Sequence, residues 1–462
     1  MGNCCYRRNI GTGIMILDDK YVNKIYHGNA LEVLKKFPPE CLDSVITSPP
    51  YWQLRHYQGI PDYIWGGDEN CSHKWDENYQ PPKGGYSSDA LGAAKVYGIV
   101  RDKNGITTNY CSKCNAWKGQ LGLEPTYNEF IDHLIMIMNE IYRILKPTGT
   151  VWINLGDSYS TQSGTNTALS KGKEWDDSST YITNRGSSGK IQKGDLPSKC
   201  LLLIPHRFAM RCIDNGWILR NDIIWAKRNG MPESVTDRFS KKHEFFFFMV
   251  KNQKYYFDLD GIKDKLKTST LQRMQYDRFR DGSKITSGEY SMSSTKKDYT
   301  NDINGKNPGD VSDFWDIPTK SSKEKHYATF NIDLISKPII AGTPEFVCSN
   351  CGFNREKIFD IIQKSKGDDA SVRAELMGHT ASGPTARSNV IGSIKRLIGY
   401  TECECNAAYK GGIILDPFAG TGTTLVRALQ LGRRCIGIEG SNEYIEIARK
   451  NINNELMQGK LF

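Results

Sequence analysis

No apolar run in this 462-residue sequence approaches the ~18 residues that a membrane-crossing helix needs; the longest, Phe245-Phe246-Phe247-Phe248-Met249-Val250, is the size of a strand. No membrane partner is expected. The basic start is not followed by an apolar segment of the kind that directs secretion, so a cytoplasmic location is the default reading. The opening Met1-Gly2-Asn3-Cys4-Cys5-Tyr6 places Tyr6 where myristoylation takes Ser or Thr, and lipidation is not expected. Charge of one sign is not in large excess: 61 Lys and Arg stand against 52 Asp and Glu, a net +9 that is compatible with a polyanionic partner and proves none. With 38% hydrophobic and 24% charged residues the chain is neither a disordered polyelectrolyte nor a collagen-like fibre, and no internal repeat is visible apart from recurring paired cysteines.

What is there is enough chain for about three domain-sized units at ~150 residues each. Lys24-Ile25-Tyr26-His27 reads as a strand, Gly28-Asn29 as a turn, and Ala30 to Phe37 as a helix that Pro38-Pro39 stops. Ser44-Val45-Ile46-Thr47 is a second strand, running straight into Ser48-Pro49-Pro50-Tyr51-Trp52, so a β-α-β unit ends in a rigid, aromatic-tipped loop. Residues 53–125 are polar and read as an insertion. Apolar residues at Phe130, Leu134, Ile137, Ile141 and Ile144 predict an amphipathic helix from Tyr127 to Leu145, ended by Pro147-Thr148-Gly149, with Thr150 to Leu155 the next strand. The Ser/Thr/Gly-rich stretch within residues 160–200 reads as a mobile loop. Pro205 suits the first turn of a helix, and Trp217 to Trp225 and Phe245 to Val250 read as strands. Residues 263–325 interleave Arg273, Arg278, Arg280, Lys296 and Lys297 with Tyr276, Phe279, Tyr290 and Tyr299, a composition that can hold a nucleic-acid backbone and stack on bases, or be a solvated insertion.

Near the end, Ile413-Ile414-Leu415-Asp416 is a buried strand that passes through Pro417-Phe418-Ala419-Gly420-Thr421-Gly422-Thr423-Thr424 into a helix, and Cys435-Ile436-Gly437-Ile438 is a further strand ending at Glu439. A strand, a glycine-rich turn, a helix and an acid at the end of the next strand form the geometry that holds a nucleoside, with Glu439 the candidate for ribose hydroxyls. The turn lacks both a third glycine and the lysine of a phosphate-binding loop, so an adenosine ligand carrying little phosphate fits best; such turns also serve as plain strand-to-helix connections. In Ser48-Pro49-Pro50-Tyr51 the prolines fix carbonyls without donating hydrogen bonds. Ser48 Oγ and the Pro49 carbonyl can then accept from an exocyclic amino group while Tyr51 stacks on its ring; taken alone, the motif is more often a Pro-Pro turn with a packed tyrosine.

The eight Cys and His residues that fall in close pairs have the spacing of structural zinc: Cys71-x-His73 with Cys111-x-x-Cys114, and Cys348-x-x-Cys351 with Cys403-x-Cys405. Four thiolate or imidazole ligands leave no open coordination position, so neither zinc is expected to be catalytic. Cys41, Cys200, Cys212 and Cys435 read as core residues.

Together, Ser48-Pro49-Pro50-Tyr51 and Asp416-Pro417-Phe418-Ala419-Gly420-Thr421-Gly422 resemble the target-base and cofactor motifs of the amino-group DNA methyltransferases, in the order of their beta group. Gly28-Asn29, Asn154-Leu155-Gly156-Asp157, Asp222-Ile223-Ile224-Trp225, Asp237-Arg238, His243-Glu244 and His326-Tyr327-Ala328-Thr329-Phe330 look like the family's secondary motifs, with Asn331 where the family usually has Pro. The resemblance implies an α/β fold: a doubly wound, mostly parallel Rossmann-like sheet, circularly permuted, with zinc-binding insertions. It also implies S-adenosylmethionine lined by Asn29, Phe330, Asp416, Phe418, Gly420, Gly422, Thr423 and Glu439, with Ser48, Pro49, Pro50 and Tyr51 acting on the flipped base.

The expected organisation is a catalytic start at 1–52, a zinc insertion at 53–125, catalytic residues 126–262, a target-recognition region at 263–325, a cofactor-site return at 326–345, a second zinc insertion at 346–410, and a cofactor-binding end at 411–462. No Pro-Cys dipeptide occurs, which argues against the carbon-5 cytosine mechanism and against a zinc deaminase. Ser at the first motif position resembles the N4-cytosine enzymes and predicts that base in double-stranded DNA, with N6-adenine as the alternative. A noncatalytic zinc-ribbon DNA-binding protein and an RNA substrate are the readings from other classes. A partner restriction endonuclease, and a monomeric or homodimeric state, are compatible with the family.

Overall fold

The apolar runs that mark strands in the sequence become two-faced burial in the computed structural model, which describes residues 6–8, 15–57, 59–76, 109–160, 196–197, 199–230, 232–263, 311–319, 331–363 and 394–458. The strands are β1 (Tyr6–Arg8), β2 (Met15–Leu17), β3 (Lys24–His27), β4 (Leu42–Thr47), β5 (Tyr63–Trp65), β6 (Trp75–Asp76), β7 (Tyr110–Cys111), β8 (Trp117–Gly119), β9 (Leu145–Leu155), β10 (Ile218–Ala226), β11 (His243–Val250), β12 (Phe314–Asp316), β13 (Val347–Cys348), β14 (Lys357–Gln363), β15 (Ile394–Tyr400), β16 (Tyr409–Lys410), β17 (Ile413–Asp416) and β18 (Arg434–Glu439). The helices are α1 (Ala30–Leu34), α2 (Tyr127–Ile144), α3 (Ile204–Asp214), α4 (Ile332–Gly342), α5 (Thr423–Gln430) and α6 (Asn442–Gln458).

The chain divides into two compact units, the first comprising residues 1–257, 313–353 and 407–462 and the second residues 258–312 and 354–406. In the first, eight strands form one sheet in the order β12-β10-β11-β9-β4-β17-β18-β3. β11 is antiparallel to both neighbours, and every other adjacent pair is parallel. The two C-terminal strands, β17 and β18, sit between the N-terminal β3 and β4, so both ends of the chain build the middle of the sheet. Strands covered on both faces read as continuous apolar runs. Val45, Val151, Ile153, Ile413, Leu415, Ile436 and Ile438 point to the side occupied by α1, α2 and α3. Ile46, Trp152, Ile414 and Cys435 point to the other, where α4, α5 and α6 pack.

α2 runs where its apolar spacing predicts, and Thr126 caps it by accepting the Glu129 amide at 3.2 Å while Glu129 accepts the Thr126 hydroxyl at 3.0 Å. The chain then enters β9 directly at Leu145 rather than turning at Pro147. Pro147 and Thr148 are exposed within an irregularity of the β4–β9 register. A buried ion pair lies at this start: Lys146 Nζ is 2.6 Å from Asp43 Oδ1, and Asp43 Oδ2 accepts the Ile413 amide at 2.8 Å. Cys41, Cys212 and Cys435 are buried as expected of core thiols, while Cys200 is half-buried.

The region read as the first insertion holds a second sheet, in the order β5-β8-β7-β6. In the second unit, β14 and β15 form an antiparallel pair, Lys357 Nζ lies 2.6 Å from Asp258 Oδ2, and the Arg355 guanidinium holds the Thr401 carbonyl and Glu402. The basic and aromatic residues from Arg273 to Tyr299, the Ser/Thr-rich stretch 161–195, and His326 to Phe330 lie outside the described residues. No described helix is long and apolar enough to cross a membrane.

Candidate active site

Parallel strands present their carboxyl ends on one edge of a sheet, and ligands bind there where the connections of two adjacent strands leave in opposite directions. β17 and β4 are such a pair. β17 leads through α5 to β18 on one side, and β4 leads through α2 to β9 on the other. Asp416-Pro417-Phe418-Ala419-Gly420-Thr421-Gly422 leaves β17, and Ser48-Pro49-Pro50-Tyr51 leaves β4, so these two motifs emerge side by side from opposite ends of the chain.

Asp416, 1% exposed, ties them together: its Oδ1 accepts the Thr47 hydroxyl at 2.6 Å and the Phe418 amide at 3.1 Å. Burial pushes the Asp416 carboxyl up to about 6, against the pull of the Thr47 hydroxyl. The folded chain therefore binds this proton more tightly than the unfolded chain. The associated stability is complete below the ordinary carboxylate value of ~3.9 and is lost as pH rises to about 6. Asp416→Asn keeps an acceptor for Thr47 and is expected to flatten the dependence of Tm on pH across that window; an unaltered slope would assign the dependence to another group.

The glycines of the turn serve different needs. Gly420 has φ +51° and Gly422 φ +85°, both in the left-handed region. A Cβ on Gly422 would meet Ala448 Cβ at 3.0 Å, whereas one on Gly420 would meet nothing within 4 Å, so open space lies over Gly420. Glu439, at the end of β18, spans the turn: Oε2 accepts the Gly420 amide at 2.8 Å, and Oε1 accepts the Gly440 and Ser441 amides at 2.9 Å each. Burial raises the Glu439 carboxyl while these three amides oppose the rise. Three donors leave one of roughly four lone-pair sites, on Oε2, free for a ligand hydroxyl. Asn29, next along the same edge, caps α1 by accepting the Leu31 amide at 2.7 Å, and the Gly28 amide donates to the Glu439 carbonyl at 3.0 Å. Phe418 and Thr423 are half-buried on either side of the glycines, and Phe330 lies outside the described residues.

In the other loop, Pro49 is buried and Ser48 and Pro50 are half-buried. Tyr51 is clamped rather than free. Its hydroxyl lies 2.9 Å from Asn154 Oδ1 and 2.8 Å from Glu244 Oε2, with one proton to donate between them. The Asn154 amide nitrogen donates to the Phe245 carbonyl at 3.0 Å, and Lys227 Nζ donates to Glu244 Oε1. Burial first, and the Glu244 charge second, hold the Tyr51 phenol well above its ordinary value, so it remains a donor. The ring lies against Gly156, where a Cβ would come within 2.5 Å of Tyr51 Cε2.

Trp52 departs from the expectation of an aromatic tip. It is 3% exposed, and its Nε1 donates to the Glu124 carbonyl at 2.9 Å. Nothing in the sequence signals that residues of the insertion reach the Glu439 end. A Cβ on Gly440 would meet Ile60 at 3.2 Å and the Tyr63 hydroxyl at 3.5 Å, and the Glu439 charge raises the phenols of Tyr57, Tyr63 and Tyr444, in which burial is the larger cause.

Cys71, His73, Cys111 and Cys114 come together, with one ligand atom from each within 4.8 Å of all the others. In the first unit, Cys348 and Cys351 form a knuckle in which Cys348 Sγ faces the amides of Asn350 and Cys351 at 3.4 and 3.5 Å. Cys403 and Cys405 belong to the second unit.

Among known proteins, the family of N6/N4 methylases, described as DNA methylase, matches residues 42–450. Type II methyltransferase M.SmaI of Serratia marcescens is 25% identical over 430 residues, covering 93% of this chain and 90% of that protein. Type II methyltransferase M.Cfr9I of Citrobacter freundii is 24% identical over 431 residues, covering 93% and 88%. Among solved structures, the PvuII DNA methyltransferase (cytosine-N4-specific) covers 93% of this chain and 90% of its own at 14% identity and a TM-score of 0.41. A DNA modification methylase from Thermus thermophilus complexed with S-adenosyl-L-methionine covers 94% and 95% at 17% identity and a TM-score of 0.40. The family match runs from β4 through α6 and takes in both loops at the sheet edge, and this chain therefore belongs to the N6/N4 family of DNA methylases.

Proposed function

We propose that this DNA methyltransferase transfers the methyl group of S-adenosylmethionine to the exocyclic N4 of cytosine in double-stranded DNA. The observation that carries the reading is the juxtaposition of the Ser48–Tyr51 loop with the glycine turn after Asp416, joined by the Thr47–Asp416 hydrogen bond. When bound, S-adenosylmethionine supplies an electrophilic methyl group on a positively charged sulfur. The residues present suit its nucleoside part: a carboxylate with a lone pair to spare at Glu439, open space over Gly420, and Asn29 and Phe418 beside them. Phe330 and Thr423 join this set by resemblance.

The amino group of a stacked base is out of reach, so the target leaves the helix and enters beside Tyr51. Conjugation with the ring makes its nitrogen a poor nucleophile. Ser48 Oγ and the Pro49 carbonyl accept its hydrogens and favour a pyramidal nitrogen in line with the methyl group, while the clamped Tyr51 ring fixes the plane of the base. Ser48 at the first motif position favours cytosine over adenine. The Type II relatives support a restriction-modification setting with a partner endonuclease.

Incubation of the purified chain with S-adenosylmethionine and unmethylated genomic DNA, followed by nucleoside mass spectrometry, is expected to yield N4-methylcytosine. N6-methyladenine would keep the chemistry and overturn the base, and no methylated base at all would overturn the reading.

A further inference from the structure

We infer that Cys71, His73, Cys111 and Cys114 bind one tetrahedral zinc ion, and that this ion sets the position of the Tyr51–Gln53 segment at the active site. For catalysis, though not for metal binding, the inference rests on the methyl-transfer reading above.

The ligand atoms already have the spacing a zinc ion requires. Zn–S bonds of ~2.3 Å and Zn–N bonds of ~2.0 Å put tetrahedral edges at ~3.8 Å between sulfurs and ~3.5 Å between sulfur and nitrogen. Cys71 Sγ lies 3.9 Å from Cys111 Sγ, and Cys114 Sγ lies 3.3 Å from His73 Nδ1. The amides of Lys74 and Lys113 both point at Cys111 Sγ at 3.4 Å, an arrangement that favours a thiolate. The turn between Cys111 and Cys114 closes by a bond from the Asn115 amide to the Cys111 carbonyl, with Asn115 at φ +61°. Gly67 crosses so close that a Cβ there would lie 2.8 Å from Cys114 Sγ. Cys71, His73 and Cys114 are only partly buried, so a metal can reach the site.

From this site a short chain of contacts leads to the reacting centre. Cys111 ends β7, which pairs with β8 through Tyr110 and Trp117, and β8 pairs with β5 through Trp117 and Trp65. Trp65 and Trp117 stack on His133 of α2 at 5.0 and 5.6 Å. His133 Nδ1 donates to Glu124 Oε1 at 2.9 Å, and Glu124 Oε2 accepts the Gly122 amide at 2.7 Å. That turn, which follows β8 directly, holds the target-base loop: the Gln53 amide donates to the Gly122 carbonyl at 2.6 Å, and both Trp52 Nε1 and Gln53 Nε2 donate to the Glu124 carbonyl. The strands of this sheet are only two or three residues long and carry few ladder bonds; Trp65, Tyr110 and Trp117 pack into the main core, and a metal that ties the start of β6 to the β7–β8 turn adds rigidity at the edge that this packing leaves.

The test uses the full chain. Thiols are alkylated before and after treatment with a zinc chelator and mapped by mass spectrometry, while amide hydrogen exchange is followed at Trp52–Gln53. Protection of Cys71 and Cys114 that the chelator abolishes, with at least tenfold faster exchange at Trp52–Gln53, is expected. Labelling of these partly exposed thiols without chelator would overturn the metal site, and unchanged exchange after metal loss would overturn the coupling. Cys114→Ser is expected to lower zinc by one ion per chain and to reduce kcat at least tenfold with S-adenosylmethionine affinity kept, and Cys114→His to restore both. Unchanged zinc content in Cys114→Ser would also overturn the site. Absence of methylation by the native protein would sink the proposed function alone, since the labelling and exchange results stand without it.

Discussion

Replacing Tyr51 with alanine is expected to lower kcat by ~10²–10³-fold while leaving S-adenosylmethionine affinity within about twofold, because the change removes the ring proposed to stack on the base and touches none of the groups around Glu439. The ring is held at two ends, by the contact with Gly156 and by the hydroxyl between Asn154 and Glu244. Tyr51→Phe separates these contributions. It keeps the stacking surface and loses one hydrogen bond of ~1 kcal/mol, so a fall of ~10-fold or less is expected. Single-turnover methylation with pre-bound DNA distinguishes a loss in the chemical step from a loss in binding. Full activity in Tyr51→Ala would eliminate the stacking role.

The second large effect is expected at Glu439, and on the cofactor rather than the base. Glu439→Ala leaves the amides of Gly420, Gly440 and Ser441 without their acceptor, at ~1–3 kcal/mol for each that stays buried, and it removes the oxygen available to a ribose hydroxyl. A Kd for S-adenosylmethionine weaker by ~100-fold or more is expected by calorimetry, together with a lower Tm. Glutamine is no substitute. The carboxylate accepts on both oxygens, and a carboxamide would set its own N–H against at least one backbone amide. Cofactor affinity unchanged in Glu439→Ala would place the nucleoside elsewhere on the sheet edge.

Local chemistry explains why so many elements are legible in the amino-acid sequence. The runs Ile413–Asp416 and Phe245–Val250 are apolar, too short for a typical helix and rich in β-branched or aromatic residues, which marks them as covered strands, and the spacing from Phe130 to Ile144 is that of one helical face. Where local pattern misleads, a long-range contact decides. Pro147-Thr148-Gly149 has the composition of a turn, yet β4 draws Leu145 into pairing immediately after the helix. Tyr51 and Trp52 look alike as loop aromatics, but Gln53 adopts φ +54° and bonds to Gly122, which turns Trp52 inward to the Glu124 carbonyl. His243-Glu244 is legible as a secondary motif but does not say what Glu244 holds, and Lys227 has no motif at all, because the part they play comes from Glu244 meeting the Tyr51 hydroxyl and Lys227 meeting Glu244.

The sequence by itself determined the kinds of chemistry available: an acceptor-rich Pro-Pro-Tyr loop, a glycine turn followed by a strand that ends in an acid, and cysteines at metal-ligand spacing. Each depends on residues within a few positions of one another, and backbone sterics and side-chain functional groups act at that range. Only the tertiary structure decided that the Pro-Pro-Tyr loop and the glycine turn share one edge, that Asp416 joins the two loops rather than facing outward, and that the turn after the short cysteine-bearing sheet bonds to Trp52 and Gln53. Those outcomes depend on parallel pairing between strands from opposite ends of the chain. That pairing is selected by burial over the whole sheet, and no local pattern encodes it.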